Sequence, residues 1–400
     1  MGRRDLWLSG WGLVVAAAAV MGAGGIYQFA WSSIRLPLGA RLGAPETSLG
    51  TVFTLFVVFQ TVVQFPAGWV RDRYGPRLPL LVAAVCLTAG FLGVGLAETL
   101  PVAAFAYAVG GVGAAASYTV AVNTPVKWFE ERRGLATGVV TMSYGGLSFL
   151  LIPSIRSGGS VAFQRTVVAL GVGTGLAALV AALVLHDPDR EDDDETAVDD
   201  ERAWTWRETV RTWQFWLLYV VFVVVNGVGL MLIGKVVSFA AELSLPAAAG
   251  TAAASVVALA DAGGVLLGGA ASDRLGRRRT VAGSLVLSGV GIAAATVAGD
   301  AGFAAGFVAA VAAAAFFRSP TFAVFPSLVA DYYGRAFSSE NYGALYSAKL
   351  FGGVFGGTVT SALVVTLGWS TSFLLGAVLL AAAGVALAFL RPVTADQLAG

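Results

Sequence analysis

Three ionisable residues, Asp261, Arg318 and Lys349, lie inside long apolar runs of the sequence, far from either end of each run. A full charge in hydrocarbon is costly unless it is solvated or paired, so such residues usually face a cavity and mark a transport pathway. A guanidinium can hold a carboxylate through two hydrogen bonds, and an ammonium is a compact donor to carboxylate oxygens. The two cations therefore predict a binding site for an anion.

Each of these residues also has a structural interpretation. Lys349 could snorkel to the edge of the bilayer, and Arg318 could pair with Asp261 or with a backbone carbonyl. Asp261 could neutralise a cation when no substrate is bound, carry a proton because burial disfavours its charged form, or clamp two helices. Lys235 could snorkel, or it could form a gate or an ion pair near Glu242. The sequence alone leaves these alternatives open.

The apolar runs are long enough to cross a membrane. Hydrophobic residues make up 57% of the 400 residues and charged residues only 12%, a composition that no soluble domain of this size could cover with polar surface. A spanning helix needs about 20 mostly apolar residues. The predicted fold is an all-α integral membrane protein with twelve transmembrane helices. Their predicted positions are 9–31, 48–70, 77–97, 101–123, 134–156, 163–185, 213–240, 247–271, 280–299, 302–330, 341–366 and 369–390.

Lysine and arginine residues between these spans collect on one side. With the N-terminus in the cytoplasm, the opposite side holds only Arg35, Arg41, Arg156 and Arg165. Cytoplasmic loops have such an excess of positive charge, so both termini are predicted to be cytoplasmic and the protein to lie in the cell membrane. The first run lacks a small-residue cleavage site and is too long for a signal peptide, which predicts a retained span.

An acidic stretch, DPDREDDDETAVDDE from Asp187 to Glu201, divides the sequence after the sixth span. It cannot bury apolar surface and is expected to stay solvated; a regulatory contact is the alternative. The predicted domains are an N-terminal six-helix bundle at 1–186, a cytoplasmic linker at 187–212 and a C-terminal six-helix bundle at 213–400. Trp204, Trp206 and Trp213 predict a short amphipathic helix on the membrane surface.

The two halves repeat one loop. GWVRDRYGPR (68–77) follows the second span, and GAASDRLGRRR (269–279) follows the eighth. In both, a glycine lets helix ends approach, an aspartate can cap a neighbouring helix N-terminus, and arginines hold the cytoplasmic side. This repeated loop resembles the signature loop of the major facilitator superfamily. The resemblance implies two bundles that rock around a central midplane site. It also implies cytoplasmic gate residues, namely Asp72, Arg73, Arg77, Asp273, Arg274 and Arg277.

Three further segments narrow the resemblance: KWFEERRGLATG (127–138), FPSLVADYYG (325–334) and SSENYGALYSAKLFGGVFGG (338–357). Together they are similar to the oxalate:formate antiporter branch of the superfamily, whose members exchange or import small carboxylates. The resemblance places Lys349 at the substrate-binding lysine of that branch. It places Val265 where the branch has a second cation, so Arg318 could replace that cation from helix 10. The glycines after Lys349 allow close helix approach or room for a ligand.

The same resemblance implies the remaining site residues. Gln28, Trp31, Tyr118 and Tyr144 fall at cavity-lining positions, whereas Phe29 and Phe322 stand where the branch has tyrosines. Each aromatic residue could instead fill a helix interface. The predicted substrate-binding residues are Lys349, Arg318, Tyr118, Tyr144, Gln28, Trp31 and Phe322, and Asp261 is predicted for charge compensation or coupling. Arg318 and Asp261 are predicted from their depth in the apolar runs and not from the resemblance.

Enzymatic functions find little support in the sequence. There is no GxxxxGK[ST] loop for ATP, no HExxH and no CxxC pair. The single cysteine, Cys86, and the single histidine, His186, leave no cysteine or histidine cluster for a metal. We expect no enzyme activity, no catalytic residue, no cofactor and no metal. We also expect no nucleic-acid partner and no obligate protein partner, hence a monomer in the lipid bilayer.

The prediction is a secondary active transporter that moves a small carboxylate anion across the cytoplasmic membrane by alternating access, in exchange mode. The alternative is a proton-linked or facilitated monocarboxylate transporter of the formate, lactate and pyruvate class, which Val265, Phe29 and Phe322 favour. A transporter-like anion sensor without flux is a third interpretation. A hydrophobic-drug exporter is disfavoured, because its cargo would not need two buried cations.

Overall fold

The computed structural model of the chain describes residues 3–188 and 203–393. Most of the predicted acidic linker lies outside these residues, and so the linker stays a prediction. Sixteen α-helices occupy the described part of the chain. They are α1 (Arg3–Phe29), α2 (Trp31–Leu42), α3 (Glu46–Tyr74), α4 (Arg77–Leu96), α5 (Leu100–Trp128), α6 (Arg133–Val184), α7 (Trp206–Thr209), α8 (Trp213–Glu242), α9 (Ala247–Leu275), α10 (Arg277–Asp300), α11 (Ala304–Arg318), α12 (Pro320–Tyr333), α13 (Ser338–Tyr346), α14 (Ala348–Val354), α15 (Thr360–Leu367) and α16 (Trp369–Ala388), with a π-helical segment, Phe355–Val359, between α14 and α15.

Twelve stretches of the described residues are long and apolar enough to cross a membrane. Each matches one predicted run, and therefore the number and order of the spans are confirmed. Spans five and six share α6, whose two parts meet at a kink where Ala162 has φ −148° and ψ 65°. The short helix α7 lies where the sequence predicts a surface helix after the linker.

Glycines end the helices that lead into the two repeated loops. Gly75 follows α3 with φ 76°, and Gly276 follows α9 with φ 85°. A positive φ strains residues that have a Cβ, so glycine is the residue that can stop both helices this way. The repeated glycine of the loop thus has the same backbone role in each half.

Two spans that the sequence predicts as single runs, 302–330 and 341–366, are interrupted helices. The first breaks at Ser319, between α11 and α12. Pro320 has no N–H to donate to the carbonyl four residues earlier, and its ring opposes a continuous helix. The second breaks at Ser347 and contains the π-helical segment, a feature that is common at functional sites.

The chain divides into two compact units. Unit 1 contains Met1–Glu130, Val139–Thr205 and Tyr333–Ala344, and unit 2 contains Glu131–Gly138, Trp206–Tyr332 and Leu345–Gly400. Each unit consists mainly of one half of the sequence and takes in one short segment of the other half. The start of α6 therefore belongs to unit 2, and most of α13 belongs to unit 1.

Candidate functional site

An ion pair lies at the middle of two spans in unit 2. Asp261 is central in α9 (Ala247–Leu275), and Arg318 ends α11 halfway along the span Ala304–Tyr333. Arg318 Nη2 donates to Asp261 Oδ1 at 2.8 Å and to Oδ2 at 2.9 Å. The hydroxyl of Ser319 donates to Oδ1 as well. The pairing of Arg318 with Asp261, one of the alternatives that the sequence left open, is present.

Glycines bring the helices around this pair close together. A Cβ atom on Gly264 would lie 2.1 Å from the carbonyl oxygen of Phe316, so α9 and α11 touch backbone to backbone. A Cβ atom on Gly229 of α8 would lie 2.6 Å from Arg318 Nη1. The guanidinium is therefore enclosed between α8 and α9, and its residue is only 5% exposed.

Arg318 keeps hydrogen-bonding capacity beyond the ion pair. Its Nε is buried and has no hydrogen-bond partner among the described residues. Leaving a buried donor unsatisfied costs about 1–3 kcal/mol, more for charged groups. The guanidinium carbon also lies 5.3 Å from the ring centre of Phe322, a distance at which a cation is attracted to an aromatic face. The ion pair thus leaves the Nε–H group of Arg318 unused.

Lys349 lies on α14, two residues after the break at Ser347, and is half-buried. Its Nζ donates to the hydroxyl of Tyr346 at 3.3 Å and lies 5.3 Å from the centre of the same ring. The hydroxyl of Ser347 lies 3.0 Å from that of Tyr219. The start of α14 therefore has two separate polar contacts, one between Lys349 and Tyr346 and one between Ser347 and Tyr219.

Three aromatic rings connect the two cations. Phe322, under Arg318, lies 5.9 Å from Phe222, and Phe222 lies 5.9 Å from Tyr346, beside Lys349. Phe222 is fully buried. A series of ring contacts therefore runs from Phe322, which lies against Arg318, to Tyr346, which lies against Lys349.

The glycines that follow Lys349 divide into two roles. Cβ atoms on Gly352 and Gly356 would lie 2.5 and 2.6 Å from side-chain atoms of α8, so these two glycines permit close helix packing. Gly353 and Gly357 have nothing within 4 Å of a Cβ position. Gly353 lies one α-helical turn after Lys349, and Gly357 lies in the π-helical segment. Both roles that the sequence allowed, close approach and open space, occur.

Unit 1 brings several of its predicted residues together as a polar cluster. The hydroxyl of Tyr144 donates to Gln28 Oε1 at 2.8 Å and accepts from Gln60 Nε2 at 2.5 Å. The rings of Tyr118 and Tyr144 pack edge to face at 5.6 Å, and the hydroxyls of Tyr118 and Tyr342 lie 3.5 Å apart. These residues form a hydrogen-bonding surface without a formal charge.

Trp31 and Phe29 lie apart from the hydrogen bonds of that cluster. Trp31 is 7% exposed, and its ring packs 4.8 Å from Tyr107 and 6.0 Å from Phe53. Phe29 is more exposed and packs edge to face on Tyr144 at 5.8 Å. A break at Ala30 separates α1 from α2 between these two residues. Trp31 thus fills an aromatic cluster within unit 1.

The first repeated loop binds the start of α13 within unit 1. Asp72 accepts a hydrogen bond from the backbone N–H of Glu340 at 2.7 Å and pairs with Lys127 at 2.8 Å. Arg73 pairs with the Glu340 side chain at 2.5 Å. A Cβ atom on Gly68 would lie 2.2 Å from the carbonyl oxygen of Ser339, so only glycine permits this approach. The aspartate caps a neighbouring helix N-terminus, as its position in the loop suggested.

The second repeated loop binds the start of α6 within unit 2 in the same way. Asp273 accepts from the N–H groups of Gly134 and Leu135, at 2.8 and 2.9 Å. Arg133 and Arg277 both pair with Asp331. A carboxylate at a helix N-terminus is stabilised by the helix dipole and by unpaired N–H groups. The two loops are therefore equivalent in structure as well as in sequence.

The other loop arginines occupy helix ends. Arg77 begins α4, and Arg274 lies in the last turn of α9. Arg71, fully buried, donates to both oxygens of Asp187 at 2.8 and 3.0 Å. Burial alone would raise the pKa of Asp187, but the Arg71 guanidinium and the Lys127 ammonium outweigh it, so that pKa falls below its ordinary value of 3.8. The start of the linker is thus anchored to the first loop.

Several contact residues were not identified from the sequence. Ser319 gives no sequence signal for its bond to Asp261, because the two residues are far apart along the chain. The ionic partners of the repeated loops could have been found from the sequence, since they lie in the three segments that are similar to the antiporter branch. These partners are Lys127, Arg133, Asp331 and Glu340. Among the described residues, no group of histidine, cysteine and acidic side chains is arranged to hold a metal.

Comparison with known proteins agrees with this architecture. A sequence model described as Major Facilitator Superfamily matches residues 13–239 and 223–399. The oxalate:formate antiporter of Oxalobacter formigenes is 31% identical over 373 residues, which are 92% of this chain and 88% of that protein. An uncharacterized MFS-type transporter of Escherichia coli K12, YhjX, is 29% identical over 350 residues, 86% of this chain and 85% of that protein. The similarity to the antiporter branch is confirmed.

Two solved structures share the fold at low sequence identity. FucP in the outward conformation superimposes with a TM-score of 0.76 at 11% identity, covering 95% of this chain and 99% of that one. The proton:xylose symporter XylE gives a TM-score of 0.71 at 14% identity, covering 96% of both chains. These likenesses concern the fold alone. The predicted fold, twelve transmembrane helices in two six-helix bundles, is confirmed.

Proposed function

Because the chain belongs to the major facilitator superfamily, we propose that it is a secondary active transporter of a small carboxylate anion, working by alternating access. Membership makes the protein a multi-pass membrane transporter of a family that is not a class of enzymes. Exchange of one carboxylate for another is the proposed mode, by analogy with the antiporter of Oxalobacter formigenes. The proposed location is the cytoplasmic membrane, with both termini in the cytoplasm and the chain acting as a monomer.

The observation that carries the proposal is the environment of Lys349. This cation lies within the 30-residue span Ser338–Leu367, half-buried, with the hydroxyl of Tyr346 at 3.3 Å. The helix that bears it is broken at Ser347. After Lys349 this helix contains Gly353 and Gly357, and a Cβ atom at either glycine would have no atom within 4 Å. A charge is retained at this depth when it faces water or a ligand of opposite charge. A carboxylate satisfies that requirement, and Tyr346 can donate a second hydrogen bond to it.

The other predicted residues have different roles in this proposal: binding, charge compensation, shaping of the site and gating. Arg318 offers its unsatisfied Nε to the substrate, while Asp261 compensates its charge. Phe322 forms part of the series of ring contacts between Arg318 and Lys349. In unit 1, the proposed hydrogen-bond donors and shaping groups are Gln28, Trp31, Tyr118 and Tyr144. The proposed cytoplasmic gate consists of the repeated loops, with Asp72, Arg73, Arg77, Asp273, Arg274 and Arg277.

Counterflow into proteoliposomes tests the proposal. Vesicles that contain purified protein are loaded with unlabelled formate, oxalate or pyruvate, and entry of the labelled compound is measured. We expect Lys349→Gln to lower entry by at least about tenfold, since truncating one partner of a buried charge pair costs about 2–5 kcal/mol. Lys349→Arg should retain part of the activity. Lys235→Gln is the matched control, because Lys235 donates to Ser361 near the end of α8.

Three results would contradict the proposal in different ways. Wild-type vesicles that transport none of the carboxylates would refute the substrate class. Wild-type protein that binds a carboxylate without moving it would favour an anion sensor. Entry that is unchanged by Lys349→Gln would refute the assignment of the site.

A proton-linked or facilitated monocarboxylate transporter is the second candidate. It is favoured by Val265, an apolar and buried residue at the position where the antiporter branch has a cation. Proton coupling would acidify the vesicle interior during monocarboxylate entry, whereas exchange would require an internal carboxylate. A pH-sensitive dye inside the vesicles separates these two modes.

A further inference from the structure

A directed chain of hydrogen bonds connects three helices of unit 1. Gln60 of α3 donates through Nε2 to the hydroxyl of Tyr144 on α6 at 2.5 Å, and that hydroxyl donates to Oε1 of Gln28 on α1 at 2.8 Å. A phenol has a single proton to donate. Because Tyr144 donates that proton to Gln28, its hydroxyl has none left for another acceptor. The chain therefore runs in one direction, from Gln60 through Tyr144 to Gln28.

Gln28 ends this chain with its donor group turned away from Tyr144. The oxygen of its side-chain amide accepts from Tyr144, and the nitrogen, with two N–H donors, occupies the other branch of the same planar group. Among the described residues, that nitrogen has no hydrogen-bond partner. Gln28 is half-buried, in the last turn of α1. The end of α1 therefore presents uncharged N–H donors that can bind a carboxylate oxygen.

The burial of Gln60 determines which end of the Gln28 amide is presented. Gln60 is fully buried, and its Oε1 has no hydrogen-bond partner among the described residues. If both amides were turned over, Tyr144 would donate to Gln60 and accept from Gln28. The Gln60 nitrogen, with two donors, would then be buried where no acceptor lies. A buried N–H group without a partner is rarer in proteins than an unsatisfied carbonyl oxygen, so burial favours the observed direction.

Glycines fix the backbones that bear the chain. A Cβ atom on Gly25 would collide with the carbonyl oxygen of Tyr144, so α1 and α6 touch backbone to backbone one turn before Gln28. A Cβ atom on Gly111 of α5 would lie 3.3 Å from the backbone nitrogen of Gln60, so α3 packs closely on α5. Side chains on helices that are held in this way keep a precise geometry.

From these contacts we propose that Gln60 is a positioning residue for the carboxylate site. It acts through Tyr144 and holds Gln28 with its amide N–H groups toward the bound anion. The inference rests on the proposed function, in which unit 1 supplies uncharged donors to the carboxylate. Without Gln60, the Tyr144 hydroxyl can turn, and Gln28 can present its oxygen, which repels a carboxylate.

Counterflow kinetics of the full chain in proteoliposomes test this inference, with labelled formate, oxalate and pyruvate as the probes. Gln60→Met removes the hydrogen bond and keeps an unbranched side chain of similar length. The KM of the transported carboxylate should rise by about three- to tenfold, the net effect of one hydrogen bond. The maximal rate should stay within about twofold of wild type, because binding is weakened and the later steps are unchanged. Gln28→Met should raise the KM at least as much.

A double variant distinguishes positioning from a merely structural role. In the Gln28→Met background, Gln60→Met should change the KM by less than about twofold, because Gln60 then has no donor to orient. Gln64→Met is the matched control. Gln64 lies one turn further along α3, is similarly buried and accepts a hydrogen bond from Thr119, outside the chain that ends at Gln28. It should leave the KM unchanged.

A second variant keeps the inference testable if Gln60→Met folds poorly, which its melting temperature would reveal. Tyr144→Phe breaks the chain at its middle member and keeps the ring. It should raise the KM as Gln60→Met does, and in the Gln28→Met background it should add less than about twofold.

The outcomes are distinct. An unchanged KM in Gln60→Met, or an equal rise in Gln64→Met, would overturn the inference and leave the proposed function standing. A full further rise when Gln60→Met or Tyr144→Phe is added to Gln28→Met would also overturn it, because neither residue would then act through Gln28. Wild-type protein that transports none of the three carboxylates would overturn the proposed function, and the inference with it.

Discussion

Gly264→Ala should destabilise the protein, although alanine is ordinarily the better helix former. The added Cβ would lie 2.1 Å from the carbonyl oxygen of Phe316, whereas even tight contacts begin at 3.0 Å. Helix α9 must therefore move about 1 Å away from α11 to relieve the clash, and overpacking of this kind costs about 1–3 kcal/mol. The gain in helix propensity is about 1 kcal/mol. The difference is a net loss of up to about 2 kcal/mol, which for a chain of 400 residues lowers the melting temperature by up to about 2–3 °C.

The neighbouring glycine provides a matched control. A Cβ on Gly263 would lie 3.6 Å from the ring of Phe316, an ordinary contact, so Gly263→Ala should be neutral or slightly stabilising. Tryptophan fluorescence of the detergent-purified variants during heating gives both melting temperatures. Gly264→Ala should also weaken carboxylate binding, because Asp261 lies one turn away on the face that moves. Equal shifts in the two variants would refute the claim that α9 and α11 meet at Gly264.

Two further predictions concern the repeated loops. Asp72→Asn should lower the melting temperature more than Asp273→Asn, because Asp72 combines a helix cap with a buried pair to Lys127. Breaking a buried pair costs about 3–5 kcal/mol, whereas a charge at a helix N-terminus contributes about 0.3–1 kcal/mol; equal losses would contradict this. The pKa of Asp187 is lowered by Arg71 and Lys127 despite burial, so its stabilising contribution exists above pH 3.8 and disappears as the pH falls through the lowered pKa. Asp187→Asn should therefore be less stable than wild type at pH 7, with a difference that shrinks below pH 3.8; a constant difference in melting temperature would exclude the ionic contribution.

The spans and the repeated loops could be predicted because they depend on local sequence. Apolar length alone predicts a spanning helix, and the two loop aspartates, Asp72 and Asp273, cap neighbouring helix N-termini as their positions suggest. The break at Ser319 also had a local signal. Pro320 follows it directly, and a proline inside a helical pattern commonly ends the helix at the preceding residue. The apolar length of the run nevertheless favours a single helix.

The partners of the buried charges could not be derived from local sequence. Ser319 and Asp261 are 58 residues apart, and which hydroxyl reaches a carboxylate depends on how closely two helices pack. That distance is set by Gly264, one of 51 glycines in the chain. Nothing in the sequence distinguishes it from Gly263. The sequence therefore limits the partner of Arg318 to a few alternatives, and the contacts between helices are needed to choose among them.

The two halves are alike at their loops and unlike at mid-membrane. Each repeated aspartate accepts backbone hydrogen bonds at a helix start, Asp72 at Glu340 and Asp273 at Gly134. The deep charges, by contrast, belong to the second half, whereas the first half offers neutral donors such as Tyr144. The loop in each half of the sequence binds the N-terminus of a helix, so the two loops keep the same glycine, aspartate and arginine positions. In the second half, Arg318 pairs with Asp261, so that two of the three deep charges neutralise each other.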